Sequence, residues 1–149
     1  MGNETAYPVN WTIRQAEQVD LDQVLGLAKA LATSFMPERE AFARSFAEVQ
    51  ANDSAGLWVV DCQGELIGYC LSFDHAAFYA NGRVAWVEEI FVKNEWQMTG
   101  VGRALMSAVE QWALTRGARL VGLATRRAAA FYQALGYEES AVYYRKVLI

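Results

Sequence analysis

The chain has 149 residues, 54% hydrophobic and 20% charged, with a formal net charge of −4. This composition excludes a disordered chain, and the length suits a single domain over residues 1–149 that buries about two-thirds of its extended surface. No Lys/Arg cluster interleaves with aromatics, so no nucleic-acid partner is expected, and no apolar run reaches the ~20 residues of a membrane span.

In chain order, the opening M-G-N-E-T-A-Y-P lacks the basic and apolar regions of a secretory signal. Ala6 stands where a myristoylation motif needs Ser or Thr after Gly2, so that motif fails, and the two cysteines read as those of a reducing-compartment, cytoplasmic protein. Residues 11–14 read as a short strand. Asp20 precedes a helical stripe of Leu21, Val24, Leu25, Ala28, Leu31 and Ala32, with Gln23 completing a capping box. A second helix starts at Pro37, carries Phe42, Phe46 and Val49, and stops at Asn52-Asp53-Ser54. Residues 57–62 and 66–73 read as strands joined by a Gln63-Gly64 turn. A loop is expected over 74–82, then a long strand over 83–92. Cys62 and Cys70 lack metal-ligand spacing and His75 is the single histidine, so no metal site is expected.

After that strand comes Q-M-T-G-V-G, residues 97–102, opening a helix whose stripe is Leu105, Met106, Val109, Trp112 and Ala113 and whose end is near Gly117. Strand, glycine turn and helix start make an anion cradle, because the first helical N–H groups are unpaired and the macrodipole adds positive potential. Gly100 and Gly102 would let the backbone approach a phosphate without a Cβ in the way. A plain glycine turn capped by Thr99 reads equally well from the turn alone. Residues 120–124 form a short apolar strand, 128–135 a helix ended by Gly136, and 143–149 a final strand. The order β-α-α-β-β-β-α-β-α-β implies a mixed sheet, antiparallel early and parallel where 86–92 crosses over to 120–124.

That order, with Gln97, Gly100 and Gly102 in a Q/R-x-x-G-x-G/A pattern and Phe131-Tyr132 before Leu135-Gly136-Tyr137, resembles the GNAT superfamily of acyl-CoA N-acetyltransferases. The resemblance spans nearly the whole chain. Dinucleotide and Walker loops fit worse, since Leu105 replaces the third glycine of the first and the second needs Gly-Lys-Ser/Thr. The resemblance implies an α/β (mixed α+β) fold, a partly antiparallel sheet flanked by about four helices. It also implies direct transfer of acetyl from acetyl-CoA to a primary amine without a covalent acetyl-enzyme.

The resemblance further implies site roles. Backbone N–H groups of Met98, Thr99, Gly100, Val101, Gly102 and Arg103 would take the pyrophosphate, with Gln97 in the same loop. The edge of Ile90, Phe91 and Val92 would lie beside the pantetheine arm and polarise the thioester. Thr125 stands where many relatives carry a cofactor-contacting Asn, and Arg127, like Arg126, would lie near the phosphates or merely start a helix. Tyr132 would be the acid for the departing thiolate, with Phe131 beside it a core aromatic. Glu88 and Glu89 are adjacent carboxylates in an apolar strand, costly unless they face a cleft or a partner. Alternation sends them to opposite faces unless a bulge intervenes. Glu88, sharing a face with Ile90 and Val92, is expected to be the base through water and Glu89 an ammonium contact, an assignment that could be reversed. Phe35, Phe73, His75, Phe78, Tyr79 and Trp86 are candidates for an aromatic acceptor wall. Small cationic metabolites, amino acids and drug-like amines fit best; a protein amine, or a non-catalytic acyl-CoA sensor, is the alternative. Related chains often pair, so a homodimer edge at Tyr143-Tyr144-Arg145-Lys146 is open too.

Overall fold

Apolar runs in the middle of the chain build the sheet. In the computed structural model, which describes residues 10–149, strands β1 (Trp11–Gln15), β2 (Ala55–Cys62), β3 (Glu65–Ala77), β4 (Gly82–Val92) and β5 (Ala118–Leu123) lie in the order β1-β2-β3-β4-β5. The first four pair antiparallel and β4 pairs parallel with β5, the mixed sheet expected. The residues behind the signal and myristoylation readings lie outside the described range. No described helix is long and apolar enough to cross a membrane.

Helices α1 (Leu21–Leu31) and α2 (Arg39–Ala51) cover one face, where Val24, Leu27 and Phe46 pack with Val59 and Tyr69. Helices α3 (Val101–Thr115) and α4 (Ala129–Ala134) cover the other, where Val101, Leu105, Val109 and Tyr132 pack with Val60, Ile67 and Cys70. Neighbours Val59 and Val60 therefore feed opposite cores, and both are wholly buried. A strand covered on both faces reads as a continuous apolar run rather than an alternation.

Four local expectations are corrected. Asp20 is already helical (φ −82°, ψ −7°), and its carboxylate accepts the Glu17 N–H at 2.7 Å and two Arg14 nitrogens at 2.7 and 2.8 Å. Gln23 instead accepts the Leu66 N–H at 2.9 Å and donates to the Gly64 carbonyl at 3.0 Å, tying α1 to the β2–β3 hairpin. Helix α2 begins at Arg39 behind an extended Glu38, past Pro37. Most of the 74–82 loop is strand, because Asp74, His75, Ala76 and Ala77 pair with Ala85, Val84, Arg83 and Gly82. Residues 143–149 form no strand.

Asp74 explains the third of these. A polar residue after Phe73 reads as the start of a loop, yet its side chain is fully buried and ion-paired to Arg83 and Arg116. Arg116 donates from Nε at 2.6 Å, and both arginines also reach the Ser54 hydroxyl, at 3.3 and 3.2 Å. Burial works to raise the Asp74 pKa, but the bonds from Arg116 and Arg83 outweigh it and hold the carboxyl below its ordinary value. One buried carboxylate thus fastens β3, β4 and the end of α3.

Candidate active site

Strand β4 changes character at Glu88. Before it, Arg83, Ala85, Trp86 and Val87 have partners in β5 as well as in β3. Beyond it, Glu89, Ile90, Phe91 and Val92 keep Leu71, Cys70, Tyr69 and Gly68 of β3 as partners but have none in β5. The sheet opens there. The register of β3 also skips a residue, from Ser72↔Val87 to Leu71↔Glu89, which leaves Glu88 as the extra residue of a β-bulge. Val87, Ile90 and Val92 consequently all belong to the α3-side core, although strict alternation would put Val87 opposite the other two.

Backbone direction follows from one bond. The Lys93 N–H donates to the Ile67 carbonyl at 2.9 Å, so Lys93 points to β3. Alternation then turns Phe91 and Glu89 to β3 and the N–H groups of Ile90 and Val92 to the open edge. The Val92 carbonyl agrees, since it accepts the Gln97 side chain at 3.4 Å from outside the sheet. Two spare donors in line on an unpaired edge suit an extended amide-bearing ligand that adds as a strand.

The glycine turn follows at once. Met98 (φ 60°) and Gly100 (φ 95°) take left-handed backbone, and Gly100 stands at the N-cap of α3 with no side-chain cap. Ala104 is bonded back to the Gly100 carbonyl at 3.0 Å, so the N–H groups of Val101, Gly102 and Arg103 are the orphans of the first turn. Thr99 is not their cap; its hydroxyl bonds the Trp96 carbonyl. Gly102 faces α4, since a Cβ there would meet the Phe131 ring at 3.1 Å. The two glycines have different reasons: a backbone conformation at 100 and a ring seat at 102. Gln97 also bonds Asn94 Oδ1, at 3.2 Å, and so braces the turn.

The carboxylates part company at the bulge. Glu88 is exposed, whereas Glu89 is half-buried and accepts the Tyr69 hydroxyl at 2.7 Å. Burial and the Glu89 charge both push the Tyr69 pKa up, so that phenol remains a donor. Within an apolar strand Tyr69 reads as core from the sequence, and only its Glu89 partner, 20 residues on in the neighbouring strand, marks it as part of the site. A groove of about 460 Å³ runs beside Phe91 on the α1 side, bordered by Gln23, Leu27, Lys93 and Asn94.

From the α3 side comes Tyr132, its ring packed in the cluster that also holds Ile90 and Val92. It is 7% exposed and Phe131 is 37% exposed, so the core aromatic of the pair is Tyr132 rather than Phe131. Burial raises the Tyr132 pKa to about 12. Thr125 accepts the Ala128 N–H at 3.1 Å and so starts α4, while Arg126 and Arg127 are exposed. Of the aromatic wall, Trp86 stacks on Tyr143 at 6.3 Å. Phe78 and Tyr79 sit beyond Gly82 at the far tip of the β3–β4 hairpin, six residues or roughly 20 Å of strand from Glu88, and are not brought to the site.

A sheet that opens beside an uncapped helix start suits the fold and cofactor of an acyl-CoA-dependent N-acetyltransferase. The chain belongs to the GNAT family: the acetyltransferase (GNAT) domain profile matches residues 53–139. It is 31% identical over 148 residues to an aminoglycoside N(6')-acetyltransferase type 1 of Stenotrophomonas maltophilia, covering 92% of this chain and 94% of that one. The solved structure of AAC(6')-Iy with a bisubstrate analogue, CoA-S-monomethyl-acetylneamine, superposes with a TM-score of 0.78 at 26% identity over 93% of this chain and 99% of that one. Glucosamine-6-phosphate N-acetyltransferase from Arabidopsis thaliana shares the fold, with a TM-score of 0.83 at 19% identity over 93% of this chain and 99% of that one.

Proposed function

We propose that this N-acetyltransferase acts on a primary amine of a small polycationic molecule of the aminoglycoside type. The open edge of β4 carries the reading, because it puts two free N–H groups in line with an uncapped helix start and ends them at a pair of carboxylates. The two aminoglycoside-acetylating relatives support the acceptor class, and the net charge of −4 favours a cation over an anion.

Acetyl-CoA supplies a thioester, whose acyl group passes to the amine as the C–S bond breaks. The N–H groups of Val101, Gly102 and Arg103 hold the pyrophosphate, and those of Ile90 and Val92 hold the arm along the edge and draw charge onto the thioester oxygen. Glu88, unpaired on the bulge, takes the amine proton through water. Glu89, fixed by Tyr69, holds the substrate ammonium on the α1 side. Tyr132, still protonated at any working pH, gives its proton to the departing thiolate. Tyr132→Phe is expected to lower kcat roughly tenfold or more with cofactor affinity kept, measured by thiol release; unchanged kcat removes it as the acid.

The deciding experiment is calorimetric titration with acetyl-CoA and with desulfo-CoA, followed by thiol release across a panel of aminoglycosides, polyamines, amino acids and peptides. Binding of both, with turnover confined to polycationic amines, supports the proposal. Turnover on peptides alone overturns the acceptor, and binding of neither by folded protein overturns the cradle.

A further inference from the structure

Tyr69 is buried, and its ring lies in the α1-side core with Phe91 packed against that cluster. Its hydroxyl donates to Glu89 Oε1 at 2.7 Å. A buried phenol needs an acceptor, but a carbonyl or a water meets that need without charge. A carboxylate drawn half out of water to meet it is desolvated, which is unfavourable by more than one neutral bond returns. The bond is therefore better explained by what it does for Glu89 than by what it does for Tyr69.

Three observations say what that is. The register shift at Glu88 turns Glu89, with Phe91, to the α1 side, while Ile90 and Val92 belong to the α3-side core. The phenol occupies one oxygen of Glu89 and leaves the other with no described partner, so its lone pairs are held in one direction. The ion pairs among the described residues use Asp20, Asp22, Asp61, Glu65 and Asp74, so neither Glu88 nor Glu89 has a Lys or Arg against it. Two neighbouring carboxylates, on Cα atoms about 3.8 Å apart, repel until cations arrive from outside.

We propose that Tyr69 is a positioning residue for the acceptor: by clamping one oxygen of Glu89 it aims the other at a second ammonium of the substrate, while the reacting amine sits at Glu88. The inference rests on the acceptor reading above and narrows it to molecules with two amines a few bonds apart, one for each carboxylate. The groove of about 460 Å³ beside Phe91 lies on the same face and gives room to the ring that carries the second amine. A charge-assisted bond from the phenol fixes direction as well as distance, and a clamped carboxylate has less rotamer freedom to lose when the ammonium docks.

The test is thiol release with a methyl glucoside bearing one primary amine on its exocyclic carbon, against each diamino counterpart in which one ring hydroxyl is exchanged for a second amine. Wild type is expected to show a KM roughly tenfold or more lower for at least one diamine than for the monoamine, about the weight of one bond to a charged group. Tyr69→Phe, which keeps the ring, should remove most of that preference, with kcat and the monoamine KM within about twofold of wild type. In a Glu89→Gln background the same change should add nothing, which separates a positioning role from a merely structural one; thermal unfolding checks that each variant is folded. Wild type that treats monoamine and diamines alike overturns the inference and leaves the acceptor reading standing. So does a Tyr69→Phe that raises KM for monoamine and diamine equally, or that lowers kcat alone. Turnover of no aminosugar at all, by protein that binds acetyl-CoA, fails the acceptor reading itself and this inference with it.

Discussion

The two halves of β4 are built from one run of residues and do opposite things. Residues 83–87 are flanked by strands on both sides, and Arg83 joins the buried Asp74 clasp at that end. Residues 89–92 have a neighbour on one side only, lead into a helix start without a cap, and bear a half-buried Glu held by a tyrosine. The closed half is paired with strands on both sides; the open half keeps two donors for a ligand. A single inserted residue, Glu88, separates them. The bulge both ends the β5 pairing and shifts the phase so that Ile90 and Val92 face the α3 side. Rigidity at one end and spare valence at the other are therefore consequences of the same ladder.

The sharpest way to break this contrast is to remove one open-edge donor. Ile90→Pro deletes an N–H that the sheet does not use, and proline is tolerated where that group faces away from a ladder. It is expected to lower kcat by about 10²–10³ with the fold kept, the range for loss of one oxyanion donor. Phe91→Pro, one residue on, deletes a β3 bond and is expected to unfold the protein instead. Circular dichroism and thiol release on both variants check it; equal stability of the two would refute the backbone directions assigned here.

The carboxylates come next. Glu88→Gln should lower turnover by roughly 10²-fold at low pH, where the amine is protonated and needs a base, with the gap narrowing as pH rises and free amine appears. Glu89→Gln should raise KM for the amine at all pH values. The reverse pattern in the two pH profiles would exchange their roles.

At the closed end, Asp74→Asn should cost about 3 kcal/mol at neutral pH, as for other broken buried ion pairs, with little change in kcat. The Asp74 pKa is lowered on folding from about 3.8, so its contribution is complete above that value and fades as pH falls through the folded pKa. The difference between wild type and variant in urea unfolding should accordingly shrink below about pH 4. A gap that does not change between neutral and acid pH would show that the clasp stabilises by packing rather than by charge.

Much of this layout was legible in the sequence. The apolar runs placed all five strands, and Gly117 (φ 78°) and Gly136 (φ 92°) marked the ends of α3 and α4 where left-handed backbone is needed. The pair Glu88-Glu89 stood out because two charges in an apolar strand demand a cause. What could not be read depends on partners distant in the chain. Asp74 looked like a loop because its arginines are 9 and 42 residues away. Gln23 looked like half of a capping box because its real partners, Gly64 and Leu66, lie across the hairpin. The bulge is a property of two strands at once, so no pattern in β4 alone could fix which face Glu88 takes. The final strand was misplaced for a related reason: strand character is local, but a strand exists only beside an edge.

The smallest effects sharpen the contrast inside the glycine turn itself. Gly100 (φ 95°) has open space where a Cβ would stand, so its need for glycine is conformational. Gly100→Ala should cost about 1–2 kcal/mol from left-handed backbone and should weaken CoA binding by distorting the turn. Gly102 lies within α3, and a Cβ added there would meet the Phe131 ring at 3.1 Å. Because that ring is partly exposed it can yield, and the gain in helix propensity from Gly to Ala, roughly 0.5–1 kcal/mol, offsets the push. Gly102→Ala should therefore be within about 0.5 kcal/mol of wild type, with CoA affinity nearly unchanged, as read by thermal unfolding and calorimetry. Equal loss of affinity in both variants would mean that Gly102, too, is there for the phosphate. A loss at Gly100 alone would separate the residue that shapes the cradle from the one that seats α4 behind it.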